Sequence, residues 1–276
     1  MAVIVKTIFL EITNRCQASC PMCARNYHGY IDNPNVVSSD WTLTDFKTII
    51  NSEVLNKIEM LSFIGNYGDC IINSELLDMV KYVTMTNPNI RVMMHTNGSA
   101  RNTSWWSELA HSLPVSHDVV FGIDGLEDTH RLYRIGTKYE TIVKNASAFI
   151  NAGGKATWDM IRFKHNEHQV ERCREIAKEL GFVNFTVKDS GRFKDTSHKV
   201  LDKDRNVLYY IEPPTGTKAK IQTEQAIEFY RNAKITIECE SIKFSQLYLD
   251  NKGLVYQFCF DGSFPYMYNE LGDWIL

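Results

Sequence analysis

Val3-Ile4-Val5-Lys6-Thr7-Ile8-Phe9-Leu10-Glu11-Ile12 runs through Thr13-Asn14-Arg15 into Cys16-Gln17-Ala18-Ser19-Cys20-Pro21-Met22-Cys23. The first of these segments is mostly β-branched and apolar, the composition of a buried strand. The polar triplet ends it, and three thiols then fall within eight residues of one loop. A short loop can wrap three sulfurs around a metal centre while its own N–H groups donate to them. Three ligands leave one coordination position free for a substrate or cofactor, which separates an open metal site from a closed one. Taken alone, the cysteines also fit a structural zinc knuckle completed by His28. The CxxxCxxC spacing at the carboxyl end of a first strand favours chemistry, because barrel enzymes place their sites there.

Working outward, strand and helix alternate. Thr42 opens a predicted helix to Leu55, with Asp45 three residues on as a near capping box. Lys57 to Gly65 reads as a second strand, and Asn73 as the cap of a helix ending at Thr86. Arg91 to Thr96 is a third strand stopped by Asn97-Gly98, followed by a helix from Asn102 to Leu113 closed by Pro114. Asp118 to Asp124 is a fourth strand stopped by Gly125, and a helix from Tyr139 to Asn151 ends at Gly153-Gly154. Ala156 to Phe163, a helix from Asn166 to Leu180, and Phe182 to Lys188 complete the series. Six β-then-α units with short loops predict a parallel sheet.

After Gly191 the rhythm breaks. Residues 192–223 are charged and contain Pro213-Pro214 and Gly216, so they read as a linker or long excursion. A helix from Glu224 to Ala233 follows, then strands at Ile235 to Glu238, Gln246 to Leu249 and Val255 to Phe260, with Asn251-Lys252-Gly253 as a hairpin turn. Two units are therefore expected, 1–191 and 192–276.

The 276 residues are 44% hydrophobic and 23% charged, enough to bury a core without staples. The formal charge of −3 and the pI of 6.2 give no general attraction to nucleic acid or anionic membrane. Twelve per cent aromatics and a mean hydropathy of −0.26 exclude a disordered tail protein. Lys6 and Glu11 interrupt the apolar run from Ala2, so no secretory signal is expected. No apolar stretch approaches the roughly 20 residues of a membrane span. The seven cysteines are therefore expected in a reducing cytoplasm, where clustered thiols bind metal or do chemistry.

On the cysteine loop and its place after strand one, residues 5 to about 190 resemble the radical S-adenosylmethionine (SAM) enzymes. The resemblance implies an α/β fold, a partial (β/α)6 TIM-type barrel, with Cys16, Cys20 and Cys23 holding a [4Fe-4S] cluster. It further implies that the open iron chelates SAM, that one electron cleaves SAM to a 5′-deoxyadenosyl radical, and that this radical abstracts a substrate hydrogen. The protein supplies position and exclusion of water.

Gly65-Asn66-Tyr67-Gly68-Asp69-Cys70 stands where the family shows Gly-Gly-Glu-Pro, so Gly68 and Asp69 are carried over as SAM contacts, and Cys70 replaces the proline. Thr96-Asn97-Gly98 resembles the family's TNG turn, and Thr96 and Asn97 are carried over to the cavity wall. Gly122-Ile123-Asp124-Gly125 with Arg134 resembles the Ser-x-Asp-Gly segment; the resemblance places Asp124 near the ribose and Arg134 on the SAM carboxylate. Gly122 stands in place of the serine. Met22 occupies the usual aromatic position, its backbone near the adenine. Arg131 reads as a solvated helix-start charge, and Asn166 as a helix cap first and a cavity residue second.

Cys173 falls in the stripe Val170, Cys173, Ile176, Ala177, Leu180, the spacing of a buried helical thiol. Cys239 and Cys259 flank the predicted hairpin and resemble the ligands of a small α+β twitch or SPASM extension carrying an auxiliary [4Fe-4S] cluster. Cysteine and histidine cannot complete four ligands locally, so the two either hold a cluster with other help or pack. The role of Cys70 is unassigned. The expected function is hydrogen abstraction from a small-molecule or peptide substrate, giving oxidation, epimerisation or cyclisation. The electron would come from a donor such as flavodoxin or ferredoxin. The start of the chain at strand one leaves no leader-recognition domain ahead of it, which tilts the expectation toward a small molecule or a partner bringing its own recognition. The rivals are an RNA-modifying enzyme of the same superfamily, disfavoured by the acidic balance, and a non-catalytic zinc-stabilised binding module.

Overall fold

Apolar residues at alternate positions of six parallel strands need a layer to cover them, and the intervening helices supply it. The computed structural model describes residues 5–193, 196–217 and 243–256. In chain order the elements are β1 (Thr7–Leu10), β2 (Asn26–Tyr27), β3 (Ile31–Asp32), α1 (Leu43–Ile49), α2 (Ser52–Lys57), β4 (Met60–Phe63) and α3 (Leu76–Thr86). Then come β5 (Arg91–Thr96), α4 (Thr103–Ser112), β6 (His117–Gly122), α5 (Glu127–Tyr133), α6 (Tyr139–Asn151), β7 (Ala156–Arg162), α7 (Val170–Glu179) and β8 (Asn184–Asp189). The described chain closes with β9 (His198–Leu201), β10 (Val207–Ile211), β11 (Gln246–Leu249) and β12 (Val255–Tyr256).

The main sheet has eight strands in the order β12-β11-β1-β4-β5-β6-β7-β8. The six expected units appear as β1, β4, β5, β6, β7 and β8, all parallel. One face, with Leu10, Leu61, Phe63, Met94, Phe121 and Trp158, joins the helices in a single core. The alternate residues, among them Glu11, His95, Val120, Asp159 and Lys188, take the other face. The result is the mixed α/β, largely parallel architecture of a partial barrel. Among the described residues no helix is long and apolar enough to cross a membrane.

Several local expectations change. The helix expected from Thr42 to Leu55 is two, because the Asn51 side chain accepts from Val54 N and starts α2; Thr42 and Asp45 do form a full capping box on α1. Asn73 does not cap α3. Its amide donates to the carbonyls of Ile12 and Trp41 at 3.1 and 2.8 Å, and a single 3-10 turn, Cys70–Ile72, precedes it. Asn166 holds the N-cap position of the 3-10 turn Glu167–Gln169 that leads into α7, but its side chain makes no cap bond: it accepts from Phe163 N and donates to the carbonyls of Asp124 and Ile161.

The excursion expected over 192–223 contains an antiparallel hairpin, β9 with β10. Its Val200 and Ile211 bury against Ala18, Cys20 and Met22, so it lies over the cysteine loop. Residues assigned to the separate 192–276 unit also enter the main sheet: β11 pairs parallel with β1, and β12 pairs antiparallel with β11. The expected helix Glu224 to Ala233, the strand Ile235 to Glu238, residues 257–260, and both Cys239 and Cys259 lie outside the described residues.

The join is chemical as well as topological, since the Tyr248 hydroxyl of β11 donates to the buried Glu11 carboxylate. Tyr248→Phe leaves that oxygen short of a donor and is expected to cost about 1–3 kcal/mol. The check is the unfolding free energy in urea; an unchanged midpoint would refute this role.

Candidate active site

The carboxyl ends of the six central strands open on one cavity of about 410 Å³, the size of a small-molecule site. Cys16, Cys20, Cys23, Gly68, Asp69, Thr96, Asn97 and Arg134 all line it. Of the described residues carried over as cluster or SAM contacts, Met22 and Asp124 stand outside its wall.

The cysteine loop is tied at several points. Arg15 pairs with Asp40, and Asn14 bonds the backbone of Val37 and Ser39 at 2.6 and 2.9 Å. Cys23 N donates to the Cys20 carbonyl at 3.0 Å, and Asn26 N to the Cys23 carbonyl at 2.9 Å, so the last two thiols sit on successive tight turns. The Cys16 sulfur accepts from Ala18 N and from Asn97 Nδ2, each at 3.4 Å. Burial, then the Asp69 carboxylate, pushes the Cys16 thiol up; burial pushes Cys20 up to about 11, with the Arg134 charge pulling back. Thiolates here need a cationic partner to form.

The Gly65–Asp69 turn is built for backbone contact. A Cβ on Gly65 would lie 1.8 Å from the Gly68 carbonyl, and one on Gly68 would lie 1.9 Å from the Thr13 carbonyl. Only glycine lets the two loops meet. Glu11 holds the turn from below, accepting Tyr67 N at 2.7 Å and Gly68 N at 2.9 Å. Asp69 accepts Thr96 Oγ1 at 3.1 Å and Asn97 N at 2.7 Å, linking this turn to the end of β5. Asn97 is fixed in turn: its oxygen accepts Gln17 Nε2 at 2.6 Å and Ser99 N at 2.9 Å, leaving its N–H for Cys16.

Asp124 is fully buried, with Arg134 Nε on Oδ2 and Ile161 N on Oδ1, both at 2.6 Å. It therefore meets the cavity through Arg134. The missing serine has a spatial reason: a Cβ on Gly122 would lie 2.5 Å from an Arg134 guanidinium nitrogen. His130, also buried, accepts Asp124 N on Nδ1 at 3.1 Å, so its Nε2 carries the proton and faces Thr137 Oγ1 at 2.8 Å. Burial, with the Arg134 charge, lowers its pKa to about 3.

The other residues sort plainly. The Met22 carbonyl accepts from Arg192 at 2.7 Å, so Arg192, following β8, clamps the cysteine loop. Cys70 is buried in the main core with its thiol toward the His95 carbonyl, and Cys173 packs in the same core from α7. Arg131 reaches no farther than its own turn. His28 faces His198 at 3.2 Å rather than a sulfur. Among the described residues no three His, Cys, Asp or Glu side chains converge on a single-ion site. Sequence reasoning missed Glu11, Gln17, Arg25 and Arg192. Glu11 alone carried a signal, a carboxylate inside an apolar strand.

No protein-family model matches the chain, and no curated protein matches it. Solved structures do. SuiB of Streptococcus suis bound to S-adenosylmethionine superposes with a TM-score of 0.62 at 13% identity over 93% of this chain and 61% of SuiB. The same protein bound to its precursor peptide SuiA gives 0.62 at 13% over 94% and 60%. Native anSMEcpe with bound AdoMet gives 0.56 at 15% over 92% and 76%. The chain thus has the radical SAM fold that its sequence resemblance implies, and it spans about three fifths of the length of SuiB.

The residues fit an iron-sulfur cluster with SAM beside it. Three buried or half-buried thiols share one wall, glycines bare the backbone opposite, and Arg25 adds a buried Nε with no partner. Gly122→Ser, which restores the family's residue, is expected to push Arg134 aside and cost about 1–3 kcal/mol; an unchanged melting temperature would contradict that crowding. His130 supplies a pH signature. Its folded pKa lies below the ordinary 6.5, so its contribution is complete above 6.5 and is lost as pH falls toward 3. Below 6.5 wild type should lose up to about 1.4 kcal/mol per pH unit more than His130→Gln, measured by unfolding at pH 7 and pH 5. Parallel curves would refute it.

Proposed function

We propose that the chain is a radical SAM enzyme in which Cys16, Cys20 and Cys23 hold a [4Fe-4S] cluster and SAM lies between the Gly65–Asp69 turn and Arg134. One observation carries this reading: three thiols, a bare-backbone glycine turn and a guanidinium line one cavity at the carboxyl ends of a barrel whose fold-mates are seen with SAM. When bound, the cluster would supply the electron that cleaves SAM to methionine and a 5′-deoxyadenosyl radical, which takes a substrate hydrogen.

The chain's own part is positioning. Asp124 fixes Arg134 through Nε, and the guanidinium faces Cys20 and the cavity, where it would take a carboxylate. Asp69 keeps one lone pair on Oδ1 beyond its bond to Ile71 N, an acceptor for an ammonium. Asn97 and Ala18 donate to the Cys16 sulfur, and such second-shell bonds orient a ligand and tune its metal. Arg192 and the β9–β10 hairpin cover the loop against water.

The substrate is a small molecule or a peptide, undergoing oxidation, epimerisation or cyclisation, with flavodoxin or ferredoxin as electron donor in a reducing cytoplasm. The SuiB complex with SuiA supports the peptide alternative. Cys239 and Cys259 remain proposed ligands of an auxiliary cluster.

Anaerobic reconstitution should load about four irons per chain for the first cluster, and dithionite should drive SAM to 5′-deoxyadenosine. Cys16→Ala, Cys20→Ala and Cys23→Ala should each lower that rate by at least about a hundredfold, since each breaks a three-ligand site. Protein that binds zinc but neither iron nor SAM would overturn the reading. Replacing Cys239 and Cys259 together should remove about four further irons per chain; an unchanged iron count would leave one cluster only.

A further inference from the structure

The cavity has a second wall that the cofactor reading leaves unused. On the inner faces of β5, β7 and β8, His95, Asp159 and Lys188 line it across from the cysteine loop. Lys188 Nζ lies 2.5 Å from Asp159 Oδ2, and Asp159 Oδ1 accepts Thr186 Oγ1 at 2.7 Å. His95 stands on a central strand yet is exposed, because it opens onto the cavity.

We propose that this wall is a substrate subsite for a carboxylate, taken by Lys188 and His95 and held in register by Asp159. The proposal rests on the cavity being the substrate cavity of the enzyme proposed above, and it names the chemistry of that substrate.

A donor and acceptor inventory carries the argument. The carboxylates on this wall, Asp159 and Asp189, have both oxygens engaged. Asp159 accepts from Thr186 and Lys188, and Asp189 takes Arg162 on both oxygens at 2.9 and 3.0 Å. The spare capacity lies with donors. Lys188 spends one of three N–H groups on Asp159, and its side chain is 58% exposed to the cavity side. The His95 ring makes no hydrogen bond among the described residues; burial, then the Lys188 charge, holds it neutral, with one N–H to give. A wall with free donors and filled acceptors selects a ligand rich in acceptors.

The charge count narrows the class. Asp159 already balances the Lys188 ammonium and His95 is neutral, so the wall recognises an anion through its free N–H groups and carries no net charge to set against a phosphate dianion. A single carboxylate is the anion this set suits, and the Asp159 contact fixes Lys188 so that less side-chain freedom is lost on binding. The carboxylate could belong to a small acid or to a glutamate side chain of a peptide.

Two probe pairs separate those sources. N-acetylglycine is compared with N-acetylglycinamide, and acetyl-Ala-Glu-Ala-amide with acetyl-Ala-Gln-Ala-amide, by calorimetric titration of the SAM-loaded, reconstituted protein and of the chain without iron. The acid of at least one pair is expected to bind about tenfold tighter than its amide. Lys188→Gln should erase that preference, and Lys188→Arg should keep part of it. The pair showing it identifies a small acid or a peptide. Equal binding of acid and amide in both pairs, no measurable binding of either acid, or a preference surviving Lys188→Gln overturns the subsite. Formation of 5′-deoxyadenosine by the wild-type protein is scored separately. Its absence with an acid preference intact removes the enzyme reading alone, and the converse removes the subsite alone.

Discussion

The Glu11 carboxylate is the point on which the site's geometry depends. It is 1% exposed, its pKa raised by burial, at the end of the first strand. An unpaired charge in that position would cost several kcal/mol, and donors from the backbone of Asn66, Tyr67 and Gly68 and from the Tyr248 hydroxyl offset it. Those donors come from the loop after β4 and from β11, far along the chain. One carboxylate therefore fixes the glycine turn facing the thiols and also brings the last described strand against the first. The cavity floor and the sheet edge share one anchor.

A second anchor works by shape. Arg134 can reach Asp124 and face the cavity only because residue 122 has no side chain. Glycine in place of the serine at residue 122 is thus coupled to where the Arg134 guanidinium lies. Asn97 shows the same economy: two bonds to its oxygen fix the amide so that its N–H meets sulfur. Carboxylates and amides from different strand ends hold one another, and each constrains where the thiols lie.

Much of this was legible from sequence because the strand ends are punctuated locally. Asn97-Gly98, Gly125 and Gly153-Gly154 stop elements where periodicity fails, and the cysteine spacing needs no partner to be noticed. What escaped was set at long range. The Glu11–Tyr248 bond spans 237 residues. The strands β9 and β10 flank the charged turn Asp202-Lys203-Asp204-Arg205-Asn206, so their short apolar runs read as linker. Asn73 and Asn166 have the side chain of a helix cap, but each spends its oxygen on a backbone N–H outside the first helical turn and its amide N–H groups on distant carbonyls. Local rules name the candidate residue, and tertiary contacts choose its partner.

The inner face of the sheet explains why chemistry collects there. A closed barrel fills its interior with branched apolar side chains; this face instead keeps a cavity, so its positions are released from packing. Thr157 can bond Asp118, and Thr186 and Lys188 can bond Asp159, across neighbouring strands without breaking a core. The Thr157–Asp118 and Thr186–Asp159 pairs satisfy their carboxylates, and Lys188 keeps N–H capacity facing inward. The polar wall is therefore the consequence of leaving the barrel unfilled.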